Sequence, residues 1–149
     1  MKNNDEYWMG IALEEAKIAF SEDEIPIGAV LIKDDCLVGR NHNRTRQLQN
    51  PLAHAEKLVI EQIVPSKEKY LQKYTLYSTL EPCVMCTGIL LSSRIGRIVY
   101  GCDDQKAGAC GSIMNIPSDR QMNHNPEIKR YILDKECSEI LTKFFQLKR

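Results

Sequence analysis

Apolar residues recur at helical spacing near the start of the chain. Trp8, Ile11, Ala12, Ala16, Ala19 and Phe20 fall on one face, which predicts an amphipathic helix from Asp5 to Phe20. The pattern then shortens. Ile27–Ile32 is an apolar run with β-branched residues, Asp34-Asp35 is a turn signal, and Cys36–Asn41 returns, so a β-hairpin is predicted. Arg40–Pro51 is polar and reads as a loop. Ala55, Leu58, Val59 and Ile63 restore the helical period, and Pro65 marks the end of that second helix. Tyr74–Leu80 and Arg97–Gly101 have the composition of strands, and Glu127–Ile132 is a candidate fifth. Cys83–Leu91 reads as a helix entered by Pro82. A last helix is predicted from Asp134, a good N-cap residue, with a buried stripe of Cys137, Ile140, Leu141, Phe144 and Phe145.

Strands and helices alternate along the chain, which predicts a mixed α/β domain: about five strands with helices on both faces. The strand–helix–strand run from Tyr74 to Tyr100 should form a right-handed crossover between parallel strands. No repeat, low-complexity tract or linker interrupts the 149 residues, a length that suits one domain spanning 1–149.

Composition narrows the classes. Lys+Arg and Asp+Glu both number 20, so the formal net charge is zero, which argues against broad electrostatic coating of nucleic acid but leaves room for a local basic patch. Met1–Tyr7 leads straight into the first amphipathic segment, so no secretory signal is expected, and no apolar run is long enough for a membrane span. The six cysteines, 36, 83, 86, 102, 110 and 137, are read as free thiols or metal ligands of a cytoplasmic protein rather than as disulfides.

Two clusters carry chemistry: His54-Ala55-Glu56, and, after 25 intervening residues, Pro82-Cys83-Val84-Met85-Cys86. Cys83 and Cys86 are three apart and share a helix face near its N-terminus, where the partial positive charge favours thiolates. Two thiolates and one imidazole make three protein ligands. Zinc is tetrahedral, so a fourth position stays open for water, the mark of a catalytic rather than a closed structural site. Zinc brings the pKa of such a water to about 7. His54 and Glu56 are two apart and would diverge in a regular helix, so they serve one site only if His54 stands at or before the first turn. Glu56 is then the proton carrier rather than a ligand.

Blander readings exist for each part. A lone C-x-x-C can be a redox pair, or half of a structural zinc site whose fourth ligand comes from His42, His124, Cys102, Cys110 or Cys137. The other four cysteines, Cys36, Cys102, Cys110 and Cys137, are read as buried small hydrophobes. The loop cations Arg40, Arg44 and Arg46 make an ordinary solvated face as readily as a binding patch. The combination H-x-E…P-C-x-x-C is far more specific, being the known signature of zinc-dependent nucleobase deaminases.

On these clusters the chain resembles the cytidine-deaminase-like superfamily. Within it, the chain resembles the bacterial tRNA-specific adenosine deaminase family. The resemblance extends over IPIGAVL at 25–31, PLAHAE at 51–56, TLYSTLEPCVMCTG at 75–88, SRIGRIVYG at 93–101 and MNH at 122–124. Leu52 replaces a hydroxyl residue usual in that family, and Lys57 an apolar residue or histidine.

The resemblance implies a three-layer α/β/α fold, one zinc ion per chain, a homodimer, and conversion of adenosine to inosine at the wobble position of a tRNA anticodon loop. It implies metal ligation by His54, Cys83 and Cys86 and catalysis by Glu56. It further implies substrate contacts from Ile25, Pro26, Asn43, the Ala55 backbone, Asp104 and Lys106, and, on the last helix, Phe144, Lys148 and Arg149. The same chemistry would also serve a deaminase of a free base or nucleoside such as guanine, cytosine or adenosine. A zinc-bearing module without catalysis is a third reading, against which Glu56 stands.

Overall fold

The computed structural model describes residues 4–64 and 68–148. Its elements in order are α1 (Asp5–Ser21), β1 (Gly28–Lys33), β2 (Cys36–His42), α2 (Ala55–Ile63), β3 (Tyr74–Leu80), α3 (Val84–Ser92), β4 (Arg97–Cys102), β5 (Glu127–Lys129) and α4 (Asp134–Leu147). The five strands form one mixed sheet in the order β2-β1-β3-β4-β5. β1 is antiparallel to β2 and β3, whereas β3, β4 and β5 run parallel.

Alternation along the strands builds a core on each face of the sheet. Ala29 and Leu31 of β1, Leu76 of β3 and Ile98 of β4 face α2 and α3, joining Val59, Ile60 and Leu90. Val30, Ile32, Tyr77 and Val99 face α1 and α4, joining Trp8, Met9, Ala12 and Cys137. The result is the predicted α/β/α sandwich, with β3–α3–β4 connecting parallel neighbours. Gly28 permits the close packing of β1 on α1: a Cβ there would overlap the Ala12 carbonyl. A buried brace fixes α1 to the sheet, because Arg97 grips both carboxylate oxygens of Asp5 (2.7 and 2.8 Å) and the Tyr77 hydroxyl donates to the same group.

Several boundaries differ from the sequence reading. β2 extends to His42, so the polar loop starts at Asn43; Arg40 and His42 pair with the buried Glu15 carboxylate, which lets polar residues occupy an edge strand. β5 stops at Lys129 rather than Ile132, because Tyr131 (φ 66°) and Leu133 (φ 56°) take left-handed backbone that no strand can continue. Leu133 therefore occupies the cap position of α4, and Asp134 is its first residue rather than its N-cap. Cys83 likewise caps α3 instead of lying within it. Cys36 is exposed at the start of edge strand β2, whereas Cys102, Cys110 and Cys137 are buried. Phe145 is 47% exposed and leaves the predicted stripe of α4. The expected end of α2 at Pro65 lies outside the described residues.

Candidate active site

Two helix N-termini on the same face of the sheet present the two motifs. His54 is the N-cap of α2, with extended backbone (φ −77°, ψ 150°), while Glu56 lies in the first turn. The break between extended and helical backbone is what lets side chains two apart reach one site. Cys83 caps α3 in the same way (φ −77°, ψ 179°), and Cys86 follows in the first turn. A bridge between Cys83 and Gly108 ties this corner to the segment that follows β4.

The donor atoms converge. His54 Nδ1 lies 3.6 Å from Cys83 Sγ and 3.5 Å from Cys86 Sγ. Tetrahedral zinc with Zn–S of about 2.3 Å and Zn–N of about 2.0–2.1 Å requires an N···S separation of about 3.6 Å. All three donors lie within 4.8 Å of one another, and they are the one such cluster among the described residues. The other candidate ligands are engaged elsewhere. His42 bridges Glu15 and Glu22, His124 meets the Ile95 carbonyl, Cys110 faces Thr87, and Cys102 and Cys137 sit in the core below α1 and α4. A fourth protein ligand is absent among the described residues, which separates this site from a closed structural one.

The electrostatics suit a cation. A hydrogen bond from Cys86, working against burial and aided by His54, brings the Cys83 thiol down to about 4. That thiolate, with burial, drives the Cys86 thiol strongly upward. A positive ion between them would let both thiols ionise together. The hydrogen bond to Cys83 raises the pKa of His54. Burial raises Glu56 to about 7, opposed by its own backbone N–H and by His54, so this carboxyl sits near neutrality.

His54, Glu56 and Cys83 open into a cleft of about 850 Å³. Ile25, Ile27, Asn43 and Thr45 line it from the sides of β1 and β2, residues 103–107 from the segment after β4, and Leu141, Thr142 and Phe145 from α4. Of the substrate residues read from sequence, Ile25, Asn43, Asp104 and Lys106 line the cleft. Asn43 is only 3% exposed, and its amide is held toward Thr45 Oγ1 (3.4 Å).

Pro26 is buried and outside the lining, and Ala55 is fully buried at the first position of α2. The ring of Phe144 is buried edge-on against Phe20 (5.7 Å between centroids), so it is the following residue, Phe145, that faces the cleft. Leu141 packs against the core beside Cys137 and Ile140 and also reaches the cleft, whereas Phe145, one position past Phe144, turns toward the cleft. Lys148 pairs with Asp23 and covers the Phe144 ring; Arg149 lies outside the described residues. Arg40 and Arg46 are likewise committed to acidic partners, and Arg44 holds Gln47.

Glu81 was not singled out by the sequence. Its carboxylate is 1% exposed and receives Asp104 N (3.0 Å), Cys110 N (2.9 Å), Ser112 N (3.1 Å) and Ser112 Oγ (2.5 Å). This one side chain, two residues before Cys83, therefore organises the whole rim segment 104–112.

The model of the MafB19-like deaminases matches residues 3–149. The chain belongs to that family. It is 39% identical over 142 residues to the tRNA-specific adenosine deaminase of Aquifex aeolicus (strain VF5), covering 95% of this chain and 93% of the relative. It is 40% identical over 143 residues to that of Bacillus subtilis (strain 168), covering 95% and 89%. A solved structure from a study of A-to-I editing by tRNA:A34 deaminases superposes with a TM-score of 0.86 at 40% identity, covering 91% of this chain and 99% of the other. A guanine deaminase from Nitrosomonas europaea shares the fold, with a TM-score of 0.77 at 21% identity over 93% of this chain and 83% of the other. The protein is accordingly an enzyme of the nucleobase deaminase class with a cytidine-deaminase-like fold. Among the described residues no helix is long and apolar enough to cross a membrane.

Proposed function

We propose that this deaminase converts adenosine to inosine at the wobble position of a tRNA anticodon loop. The observation that carries the reading is the His54–Cys83–Cys86 cluster with Glu56 beside it, at the base of an open cleft, in a chain about 40% identical to tRNA-specific adenosine deaminases. His54, Cys83 and Cys86 would hold one zinc ion, which supplies the Lewis acidity that makes water nucleophilic at neutral pH. Asn43, held by Thr45, orients the purine edge, and Ile25 and Ile27 give the base an apolar wall.

Glu56 takes a proton from the attacking water and delivers it to the purine ring nitrogen adjacent to the amino-bearing carbon. It then passes the remaining water proton to the amino group, which departs as ammonia and leaves a carbonyl. Burial of Glu56 keeps bulk water from competing for these protons. A looped, unpaired nucleotide suits the site, since extruding a base from a duplex costs a few kcal/mol more.

We read residues 1–149 as one catalytic domain acting in the cytoplasm as a homodimer. Leu52, Val84, Ile113 and Met114 support the dimer: all four are 42–56% exposed and lie on segments flanking the metal cluster. Light scattering at micromolar concentration reads the mass directly, and a monomer there contradicts the dimer.

The function is tested by incubating purified protein with an anticodon stem-loop RNA bearing a wobble adenosine and scoring inosine. Free guanine, cytosine and adenosine are run in parallel. Turnover of a free compound as efficient as that of the stem-loop overturns the RNA reading and establishes a small-molecule deaminase.

A further inference from the structure

Beside the cleft, on the short connection from β5 to α4, Arg130 and Tyr131 form a hydrogen-bonded cation–π pair that the reaction does not use. The Arg130 guanidinium lies 4.8 Å from the Tyr131 ring centroid and 5.9 Å from that of Tyr100. Its Nη2 donates to the Tyr131 hydroxyl (2.7 Å) and to Asp103 (3.2 Å). The Tyr131 hydroxyl donates in turn to Asp103 Oδ2 (2.9 Å), and Asp103 itself lines the cleft. Gly111, at φ 141°, gives the guanidinium room on its other side.

The pair is held in place, yet its aromatic member is open, with Tyr131 48% exposed. It is also held at a local cost, since a tyrosine at φ 66° occupies left-handed backbone that bulky residues rarely adopt. Strain of this kind persists where the surroundings over-determine a conformation, and it concentrates at functional sites. An exposed ring backed by a fixed guanidinium, at the edge of a cleft for an extruded base, matches the stacking platforms on which proteins seat unpaired nucleotides.

We propose that Arg130 and Tyr131 form a stacking platform for a nucleotide flanking the deaminated adenosine, so that the enzyme grips the RNA loop on both the reacting base and a neighbour. This rests on the RNA-loop reading above. Because every base has a stacking face, the platform tolerates sequence and adds affinity rather than base identity.

The test uses the zinc-loaded protein and a stem-loop RNA carrying 2-aminopurine in turn at each nucleotide flanking the adenosine. Wild-type protein is expected to quench the probe at one of the two positions on binding. Tyr131→Leu should abolish the quenching and raise KM for the RNA about tenfold, the loss of one stacked base. Tyr131→Phe, which keeps the ring, should restore quenching and bring KM back to within about threefold of wild type. Tyr131→Gly, which relieves the left-handed backbone while giving up the hydroxyl's bond to Asp103, should still melt in one cooperative transition and share the KM defect of the leucine variant. Absence of quenching at both positions with wild type overturns the platform. So does a Phe variant as impaired as the Leu variant, which would put the effect in the hydroxyl's hold on Asp103. Binding and quenching are scored apart from editing: an RNA that binds with quenching but stays unedited rejects the wobble reading and leaves the platform standing.

Discussion

Replacing Glu81 with glutamine tests whether one buried carboxylate organises the rim of the cleft. In the native site Oε1 accepts from Asp104 N and Ser112 Oγ, and Oε2 accepts from Cys110 N and Ser112 N. A glutamine has one acceptor oxygen, so its amino group must face one of these pairs. The least costly orientation turns it toward Asp104 N and Ser112 Oγ, because the hydroxyl can rotate and accept whereas the Asp104 N–H cannot. One backbone donor is then orphaned at about 1–3 kcal/mol, and the remaining bonds lose the strength that a charged acceptor gave them.

A total of about 2–4 kcal/mol is expected for Glu81→Gln. At about 2–4 °C per kcal/mol for a chain of this size, the melting temperature should fall by roughly 4–16 °C. Since segment 104–112 carries Lys106 and pairs Gly108 with Cys83, KM for the stem-loop should rise as well. Calorimetry and steady-state kinetics read the two effects. A melting temperature within about 1 °C of wild type, with KM unchanged, would refute the argument that the carboxylate's four bonds hold the rim.

Further outcomes follow from the same geometry. Purified protein should hold about one zinc per chain by metal analysis, and Cys83→Ala or Cys86→Ala should lose it, since two donors cannot complete the site. Glu56→Gln should keep the zinc and melt no lower than wild type, because burial already penalises the ionised carboxyl, while kcat falls at least about 10²–10⁴-fold; a rate near wild type would show that another group carries the proton. Asp103 answers to pH. Burial raises its pKa, but hydrogen bonds from Tyr131, Tyr100 and Arg130 together outweigh that and hold the carboxyl below its ordinary 3.8. A carboxylate depressed in the folded state stabilises above the unfolded pKa and loses that contribution as pH falls through the folded one. Asp103→Asn should thus melt below wild type at pH 7, and the gap should narrow below about pH 4 in a calorimetric pH series. A gap constant with pH contradicts the assignment.

The parts of this protein that were legible in its sequence are those fixed by local patterns. The helical period of Trp8, Ala12, Ala16 and Ala19 and the alternation in Leu76, Tyr77 and their neighbours report burial directly, and both were found where the pattern put them. The two metal motifs are local as well: each needs only an N-cap and one turn of helix. What the sequence concealed depends on partners far along the chain. Glu81 reads as an isolated charge until Cys110 and Ser112 fold over it, and Lys148 reads as a free cation until Asp23 meets it. The left-handed residues Tyr131 and Leu133 break β5 where composition alone continues it. Phe144 and Phe145 illustrate a finer limit, since adjacent helical residues diverge by about 100° and a stripe that includes both places one of them wrongly.

The division between local motif and distant contact is also a division of labour. The proposed ligands His54, Cys83 and Cys86, with Glu56, stand on the caps and first turns of α2 and α3, so the proposed reaction depends on elements that the fold preserves. That fold is shared with tRNA:A34 deaminases at a TM-score of 0.86 and with a guanine deaminase at 0.77, so it does not choose the substrate. The choice falls to the lining that surrounds the ligands: Ile25, Asn43 with Thr45, residues 103–107, and Leu141 with Phe145. These come from separate segments, and those on the loops are anchored by polar groups outside the catalytic set. Glu24, fully buried, accepts from Arg46 N (3.0 Å) and Gln47 N (2.7 Å) and so fixes the loop bearing Asn43; Glu81 fixes the segment bearing Lys106; Tyr131 and Arg130 fix Asp103. Rim segments anchored one by one can change substrate contacts without moving the ligands. That makes the anchors, rather than the metal site, the positions at which a substitution would alter substrate contacts and leave the catalytic geometry in place.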